Sequence, residues 1–103
     1  MTFQLGSVLL DACVLAVLSK EDTYGYKLTQ EVQSIVSISE STLYPVLRRL
    51  QKDECLETYD MPFQGRNRRY YKITTRGKDV LEVYQEEWIE YVKKINKVLG
   101  GGK

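Results

Sequence analysis

Six large apolar side chains recur at alternating spacings of three and four residues near the end of this 103-residue chain. Such spacing puts them on one face of a single long helix, as the seam of a coiled coil. Burying one large apolar side chain is worth about 1.5–3 kcal/mol, so this seam needs a partner surface. We predict that the helix forms a homodimer with a second copy, the first helix contributing, rather than packing only on its own domain. The predicted dimerisation residues are Leu81, Tyr84, Trp88, Tyr91, Ile95 and Val98.

Length and composition indicate one small folded domain with an appended element. Hydrophobic residues make up 43% of the sequence and charged residues 28%, which is typical of globular proteins. A chain of this size often gains stability from oligomerisation, because its own core is small. The longest apolar run, residues 8–18, contains Asp11 and is too short to span a bilayer, and no secretory leader is recognisable. We therefore expect a cytoplasmic protein with no membrane partner.

Residue types that support catalysis or metal binding are scarce. The chain has no histidine, and its two cysteines, Cys13 and Cys55, lie far apart in sequence. A disulfide, a zinc site and a thiol–imidazole pair are therefore poorly supported. There is also no Gly-rich phosphate loop and no nucleophile–base pair. We expect no enzyme activity, no metal and no cofactor.

Apolar periodicity predicts three helices, a β-hairpin and a final helix, in that order. The first helix, residues 7–18, is apolar all round and should be buried on more than one side. The second, residues 24–34, is capped by Asp22 or Thr23. Because proline is tolerated in the first helical turn, Pro45 places the start of the third helix at Ser41 or Thr42. Strands at 56–59 and 68–74, joined by residues 60–67, precede a helix from Thr74 or Thr75 to residue 99.

This order of elements predicts a mainly α fold with a β-hairpin wing. Residues 1–74 form a winged helix-turn-helix, and residues 75–103 form a dimerisation helix with a short flexible tail. A recognition helix of such a fold enters the DNA major groove, where hydroxyl and basic side chains contact phosphates and base edges. The polar face of the third helix carries the candidates Ser41, Thr42, Tyr44, Arg48, Arg49 and Lys52.

Positive charge is concentrated in the hairpin although the formal net charge is only +1. Residues 66–78 contain six basic side chains and no acid, and acidic residues follow at 79–90. Arg66, Arg68 and Arg69 lie at the predicted wing tip, where arginine suits the DNA backbone or the minor groove. A basic hairpin can also be an ordinary solvated surface, and the DNA interpretation depends on its combination with the third helix.

Three stretches, YGYKL at 24–28, STLYPVLRRL at 41–50 and GRNRRYYKIT at 65–74 with Gly77, resemble the PadR family of bacterial transcriptional regulators. The resemblance covers nearly the whole chain and is to the short class with a single C-terminal helix, similar to its multidrug-responsive members. It implies a dimeric repressor that binds an inverted-repeat operator in double-stranded DNA. It also adds Tyr24 and Lys27 to the predicted DNA-binding residues.

Two positions depart from the pattern of that family. The family usually has glycine at the position of Glu54, where a left-handed residue ends the third helix, so the exit turn is expected to differ or be strained. Asn67 replaces the proline that usually lies in the wing, so the wing tip is expected to be more mobile.

Trp88 is the only tryptophan, and the resemblance implies a small planar aromatic effector between dimer-related aromatic residues of the final helix. Tyr84 and Tyr91 lie one turn away on either side, and Glu86, Glu87 and Glu90 favour a cationic ligand. In the alternative interpretation Trp88 is ordinary interface core.

Two functions of other classes remain open at this point. A winged helix can act as a protein–protein interaction module without binding DNA, although such modules usually lack a basic wing and a polar recognition face. The chain could also be an RNA-binding protein without an effector.

Overall fold

The computed structural model describes residues 6–100, with side chains from Val8 onward. Residues 101–103 of the predicted tail lie outside this range. Within it the chain forms four helices and three strands. They are α1 (Gly6–Lys20), β1 (Thr23–Tyr24), α2 (Gly25–Ile35), α3 (Glu40–Lys52), β2 (Leu56–Phe63), β3 (Arg66–Ile73) and α4 (Thr75–Leu99).

A short strand, β1, replaces the predicted cap of the second helix. Thr23 lies opposite Tyr71 and Tyr24 opposite Tyr70, so β1 pairs antiparallel with β3. The prediction that Asp22 or Thr23 caps this helix was therefore wrong: α2 begins at Gly25 after Tyr24, whose side chain makes no capping hydrogen bond. Pairing with β3 holds Thr23 and Tyr24 in extended backbone up to the first residue of α2.

The hairpin is longer than its sequence pattern indicates. Only Gln64 and Gly65 separate β2 from β3, and both have positive φ, 50° and 79°, as a two-residue hairpin turn requires. The predicted connection over residues 60–67 was therefore wrong, because most of it is paired strand. Pro62 is tolerated because β2 is an edge strand in the order β1-β3-β2.

Helix α3 begins one or two residues earlier than Pro45 suggested. Ser39 is the N-cap, and its hydroxyl accepts a hydrogen bond from the Thr42 N–H at 3.2 Å. Pro45 therefore lies in the second turn, where its missing N–H leaves the carbonyl of Ser41 without the usual partner. Ser41 and Pro45 are both exposed, so water can reach that carbonyl.

The end of α3 shows the left-handed turn expected at Glu54. Its φ is 64°, the Cys55 N–H donates to Leu50 O at 2.8 Å, and the Glu54 N–H donates to Gln51 O at 3.0 Å. These two bonds form a Schellman motif with a glutamate in the position that favours glycine. A non-glycine residue in this conformation costs about 1–2 kcal/mol, so the turn is strained as expected.

Helix α1 lies at the centre of the domain. It contacts α2, α3, α4 and β3, which explains its apolar residues on all sides and confirms the prediction that it is buried on more than one side. Val14, Leu15 and Leu18 are almost completely buried. They pack in one core with residues of the other elements, among them Leu28, Val32, Leu43, Leu47, Leu50, Ile73 and Leu81.

The start of α4 is anchored to the turn that follows α3. Thr74 caps the helix, its hydroxyl accepting from the Gly77 N–H at 3.0 Å and donating to Glu54 O at 2.6 Å. Gly77 lies so close to the Cys55 carbonyl that a Cβ atom there would overlap it. The orientation of α4 is therefore set by close backbone packing at its first turn.

Candidate functional site

Helix α3 separates its residues cleanly into a buried and an exposed side. Leu43, Val46, Leu47 and Leu50 are buried, and the predicted recognition residues Ser41, Thr42, Tyr44, Arg48 and Lys52 are exposed. Among residues 8–100, no carboxylate lies within ion-pair distance of Arg48 or Lys52. This face therefore presents hydroxyl groups near its N-terminal end and two uncompensated cations toward its C-terminal end.

Arg49 does not belong to this exposed face, and its predicted role as a DNA contact needs correction. Its Nη1 donates to Asp11 Oδ2 at 2.8 Å and its Nη2 donates to Asp11 Oδ1 at 2.7 Å. The hydrogen bond to Asp11 raises the pKa of the guanidinium, so Arg49 stays charged. Both terminal nitrogens bind helix α1, and we remove Arg49 from the set of candidate DNA contacts.

Asp11 has a second partner on α4. The Tyr84 hydroxyl donates to Asp11 Oδ2 at 3.4 Å, and the carboxylate is only 4% exposed. Burial raises the pKa of the Tyr84 hydroxyl, and the Asp11 charge raises it further. One buried carboxylate therefore connects α1, α3 and α4.

The inner face of the wing brings β3 close to α3. Burial raises the pKa of Tyr71, and the positive charges of Arg69 on β3 and Arg48 on α3 offset part of that rise. Arg69 is also 3.5 Å from Asp60 in an exposed ion pair with its cross-strand partner. The predicted residues Arg48 and Arg69 are thus both close enough to Tyr71 for their charges to act on its hydroxyl.

On the outer face of the wing Arg68 is stacked between two aromatic rings. Its Cζ lies 3.9 Å from the centroid of Tyr24 and 3.4 Å from that of Phe63. Contact with both rings restrains the guanidinium, whose N–H donors lie in its plane. Among residues 8–100, no carboxylate is within ion-pair distance of Arg68. Its geometry suits an anion approaching edge-on.

Phe63 and Tyr59 are members of this outer face that the sequence reasoning missed. Tyr59 stacks on Tyr70 with ring centroids 5.5 Å apart, and its hydroxyl donates to Asp22 Oδ2 at 2.7 Å. Tyr59 already ends the predicted strand, and extending that strand to Phe63 would have placed Phe63 on the same face, because every second residue of a strand lies on one face.

The remaining predicted DNA-binding residues lie near these two faces. Arg66 is exposed next to the turn of the wing, and Tyr24 is half-buried under Arg68. Lys27, in the first turn of α2, is 3.4 Å from Glu21, which offsets part of its charge.

A large apolar groove runs between α1 and α4. Its volume is about 820 Å³, and its walls include Leu9, Ala12, Cys13, Tyr84, Trp88 and Tyr91. The rings of Trp88 and Tyr91 lie 6.0 Å apart at an angle of 36°, and Trp88 is 47% exposed. All three predicted effector residues therefore line one groove, together with Glu87.

The predicted seam of α4 divides into two parts. Leu81 is 7% exposed and Tyr84 is half-buried, both against the core of their own domain. These two residues therefore have a partner surface within their own domain, because α1 packs against α4. Farther along, Trp88 and Val98 are exposed, as are Ile89 and Leu99 beside the seam.

Within residues 6–100, no cluster of three or more histidine, cysteine, aspartate or glutamate residues is placed to hold a metal ion. The helices of the same range are all too short or too polar to cross a membrane.

Comparison with known proteins identifies similar regulators. The family model described as "Transcriptional regulator PadR-like family" matches residues 14–83. A transcriptional regulator of Mycobacterium tuberculosis is 33% identical over 100 residues, which cover 96% of this chain and 89% of that protein.

Solved structures agree with the fold. A crystal structure of a Streptococcus mutans protein has a TM-score of 0.87 and 39% identity, covering all of this chain and 97% of that one. A PadR-like transcriptional regulator of Bacillus cereus has a TM-score of 0.81 and 32% identity, covering 90% of this chain and 93% of that one. These similarities confirm the predicted fold class, and the matched family comprises transcriptional regulators rather than enzymes.

Proposed function

The chain belongs to the PadR-like family of transcriptional regulators, and from this we propose that it is a dimeric repressor that releases an inverted-repeat operator when a small planar aromatic ligand binds. The observation that carries the DNA-binding part is that both α3 and the wing carry cations with no ion-pair partner among residues 8–100. Arg48 belongs to α3, and Arg66 and Arg68 belong to β3. Such a localised positive surface on a nearly neutral chain suits a polyanion.

Helix α3 would read the major groove in this proposal. Its N-terminal hydroxyls, from Ser41 and Thr42, lie where a recognition helix meets phosphates and base edges. Tyr44 and Lys52 extend the same face, and Arg48 can donate two hydrogen bonds to a guanine edge. Arg49 instead holds α3 against α1 through Asp11.

The wing would follow the DNA backbone or enter the minor groove. Arg66 lies beside the turn, and Arg68 is pre-oriented by the rings of Tyr24 and Phe63. Arg69 would reach phosphate beside α3, after exchanging its exposed contact with Asp60. Lys27 would add a phosphate contact at the start of α2.

The exposed half of α4 supports the homodimer. Trp88, Ile89, Val98 and Leu99 are between 47% and 76% exposed, and the groove between α1 and α4 can receive a helix of a second copy. In this proposal residues 1–74 are the DNA-binding unit and residues 75–103 the dimerisation unit. Two recognition helices related by a two-fold axis would meet half-sites about 10 bp apart.

The same groove supports the effector. Trp88 and Tyr91, with their mates in the second copy, offer flat aromatic faces, and Glu87 adds a negative charge that favours a cation. In the competing interpretation Trp88 only packs in the dimer interface. Saturable quenching of Trp88 fluorescence by planar aromatic cations, but not by phenolic acids, would support the effector site, and absence of quenching would favour packing alone.

Fluorescence anisotropy of labelled duplex DNA tests the DNA-binding part directly. We expect binding that weakens about 10³–10⁵-fold between 50 and 200 mM salt if the dimer makes about 6–10 phosphate contacts. The triple variant Arg48→Ala, Arg66→Ala, Arg68→Ala should lose most of this affinity. A matched control, Lys93→Ala, Lys94→Ala, Lys97→Ala, removes the same charge from α4 and should retain it.

Equal loss in the two triple variants would overturn the proposed surface. A flat salt response would count against DNA binding altogether. Duplex RNA and single-stranded RNA serve as competitors, and tighter binding to either would favour an RNA-binding function.

A further inference from the structure

We propose that Asp11 is a positioning residue that couples the α1/α4 groove to the recognition helix. It holds Arg49 of α3 with one set of contacts and Tyr84 of α4 with another, so that occupancy of the groove alters the orientation of α3. The inference rests on the proposed function, because it assigns the path by which a groove ligand changes DNA binding.

Asp11 is buried and fixes the position of Arg49. It is a charged residue only 4% exposed in a mostly apolar helix, and each of its carboxylate oxygens accepts a hydrogen bond from Arg49. A bidentate pair of planar groups restrains rotation as well as distance. The contact therefore fixes the rotation of α3 about its own axis, and with it the direction in which Tyr44 and Arg48 point.

Tyr84 lies between the groove and Asp11. Its ring lines the groove one helical turn before Trp88, and its hydroxyl donates to Asp11 Oδ2 at 3.4 Å. That distance exceeds the ~3.0 Å limit of a strong O–H···O bond, so the contact can shorten or break with a small shift. A ligand or a helix that packs against the Tyr84 ring in the groove would move its hydroxyl relative to Asp11.

One oxygen of Asp11 links the two contacts. Its Oδ2 is shared between Tyr84 and Nη1 of Arg49, so losing or tightening one hydrogen bond changes the strength of the other. Since coupling between two binding sites is reciprocal, DNA on α3 must also alter the groove. Trp88, as the only tryptophan of the chain, reports on that change without interference.

The emission of Trp88 in the full-length chain, with and without saturating duplex DNA, tests the coupling. We expect wild-type emission to change on DNA binding and this change to be lost in Tyr84→Phe, which removes only the hydroxyl. Tyr26→Phe is the matched control, because it removes an exposed hydroxyl on α2 that contacts Gln30 rather than Asp11 and belongs to none of the predicted sites, and it should retain the change. Measurement at saturation makes the comparison independent of affinity.

Arg49→Lys supplies a second readout, because lysine retains the charge and loses the bidentate geometry. We expect its preference for a selected operator over random duplex to fall about tenfold or more, while binding to random duplex changes little. A purely structural role for Arg49 would lower both affinities equally.

The outcomes separate the two proposals. Failure of the wild type to bind any duplex, measured by anisotropy of labelled DNA, would overturn the proposed function and the coupling with it. DNA binding with unchanged Trp88 emission, or a full wild-type change in Tyr84→Phe, would overturn the coupling alone. An unchanged operator preference in Arg49→Lys would show that Asp11 does not position α3.

Discussion

Arg48 and Arg49 are adjacent on α3, yet Arg48 is exposed with no ion-pair partner among residues 8–100, whereas Arg49 binds the buried carboxylate of Asp11 through both terminal nitrogens. The two side chains therefore have different tasks. One is available to a ligand, and the other joins α3 to α1.

Alanine at each arginine should separate these tasks. Arg49→Ala leaves the buried carboxylate of Asp11 unpaired and should lower the free energy of unfolding by about 2–3 kcal/mol. This is less than the ~3–5 kcal/mol expected for a fully buried pair, because the Arg49 side chain is 39% exposed. Arg48→Ala should change stability by less than about 0.5 kcal/mol while weakening operator binding by about 1–3 kcal/mol. Urea unfolding and anisotropy measure the two effects. Equal stability of both variants would contradict the assignment.

Phe63 should contribute to DNA affinity without touching DNA. Removing its ring in Phe63→Ala leaves the guanidinium of Arg68 stacked only on Tyr24, and should weaken binding by about 0.5–1 kcal/mol. Val83→Ala, an exposed apolar truncation on α4, is the control and should have little effect. In an Arg68→Ala background Phe63→Ala should add nothing. Additive losses would refute a role through Arg68.

Replacing Glu54 by glycine should stabilise the protein. Glu54 has a φ of 64°, which glycine adopts without strain, so Glu54→Gly should raise the free energy of unfolding by about 1 kcal/mol. The adjacent Asp53→Gly is the control, since Asp53 has a φ of −81° and gains nothing from glycine. Urea midpoints of the two variants decide the point, and a stabilised Asp53→Gly with an unchanged Glu54→Gly would contradict it.

The free energy of unfolding should decrease at alkaline pH. Burial raises the pKa values of Cys13 and Cys55 above their ordinary 9.0, and those of Tyr71 and Tyr84 above 10.0. These groups hold their protons more tightly in the folded state than in the unfolded state. Their contribution to the free energy of unfolding is therefore complete below the pKa of the unfolded state, and it is lost as pH rises through the pKa of the folded state. Urea midpoints should therefore be lower at about pH 10.5 than at about pH 7.5. The double variant Tyr71→Phe, Tyr84→Phe should reduce this difference, and equal wild-type midpoints would exclude the effect.

A charge in the α1/α4 groove should dissociate the dimer. Ile89 lines the groove and is 55% exposed, whereas Val83 is 50% exposed on α4 but is not among the groove residues. Because a two-fold dimer carries each substitution twice, Ile89→Asp should weaken association by about 3 kcal/mol or more, or about 100-fold. Val83→Asp should change it much less. Analytical ultracentrifugation at micromolar concentration gives both values, and a wild type that sediments only as a 12.0 kDa species would refute the dimer.

Some elements of the fold could be predicted from the sequence and others could not. The four helices and the hairpin followed from the sequence, because apolar periodicity, caps and turn residues act within a few positions. The exposed side of α3 followed as well, since residues spaced three or four apart share a face of a helix. Strand β1 and the length of the wing did not, because β-pairing depends on a partner strand and Thr23 meets Tyr71 only in the folded chain.

What the sequence determined by itself is the family, the order of the elements, the concentration of charge in the wing and the apolar character of α4. Only the tertiary structure decided how individual side chains are used. Arg49 is indistinguishable from Arg48 in sequence, but its carboxylate partner lies 38 positions away, and Tyr84 meets the same carboxylate across 73 positions. Ion pairs and burial depend on distances that exist only after α1, α3 and α4 have packed together, which local pattern does not encode.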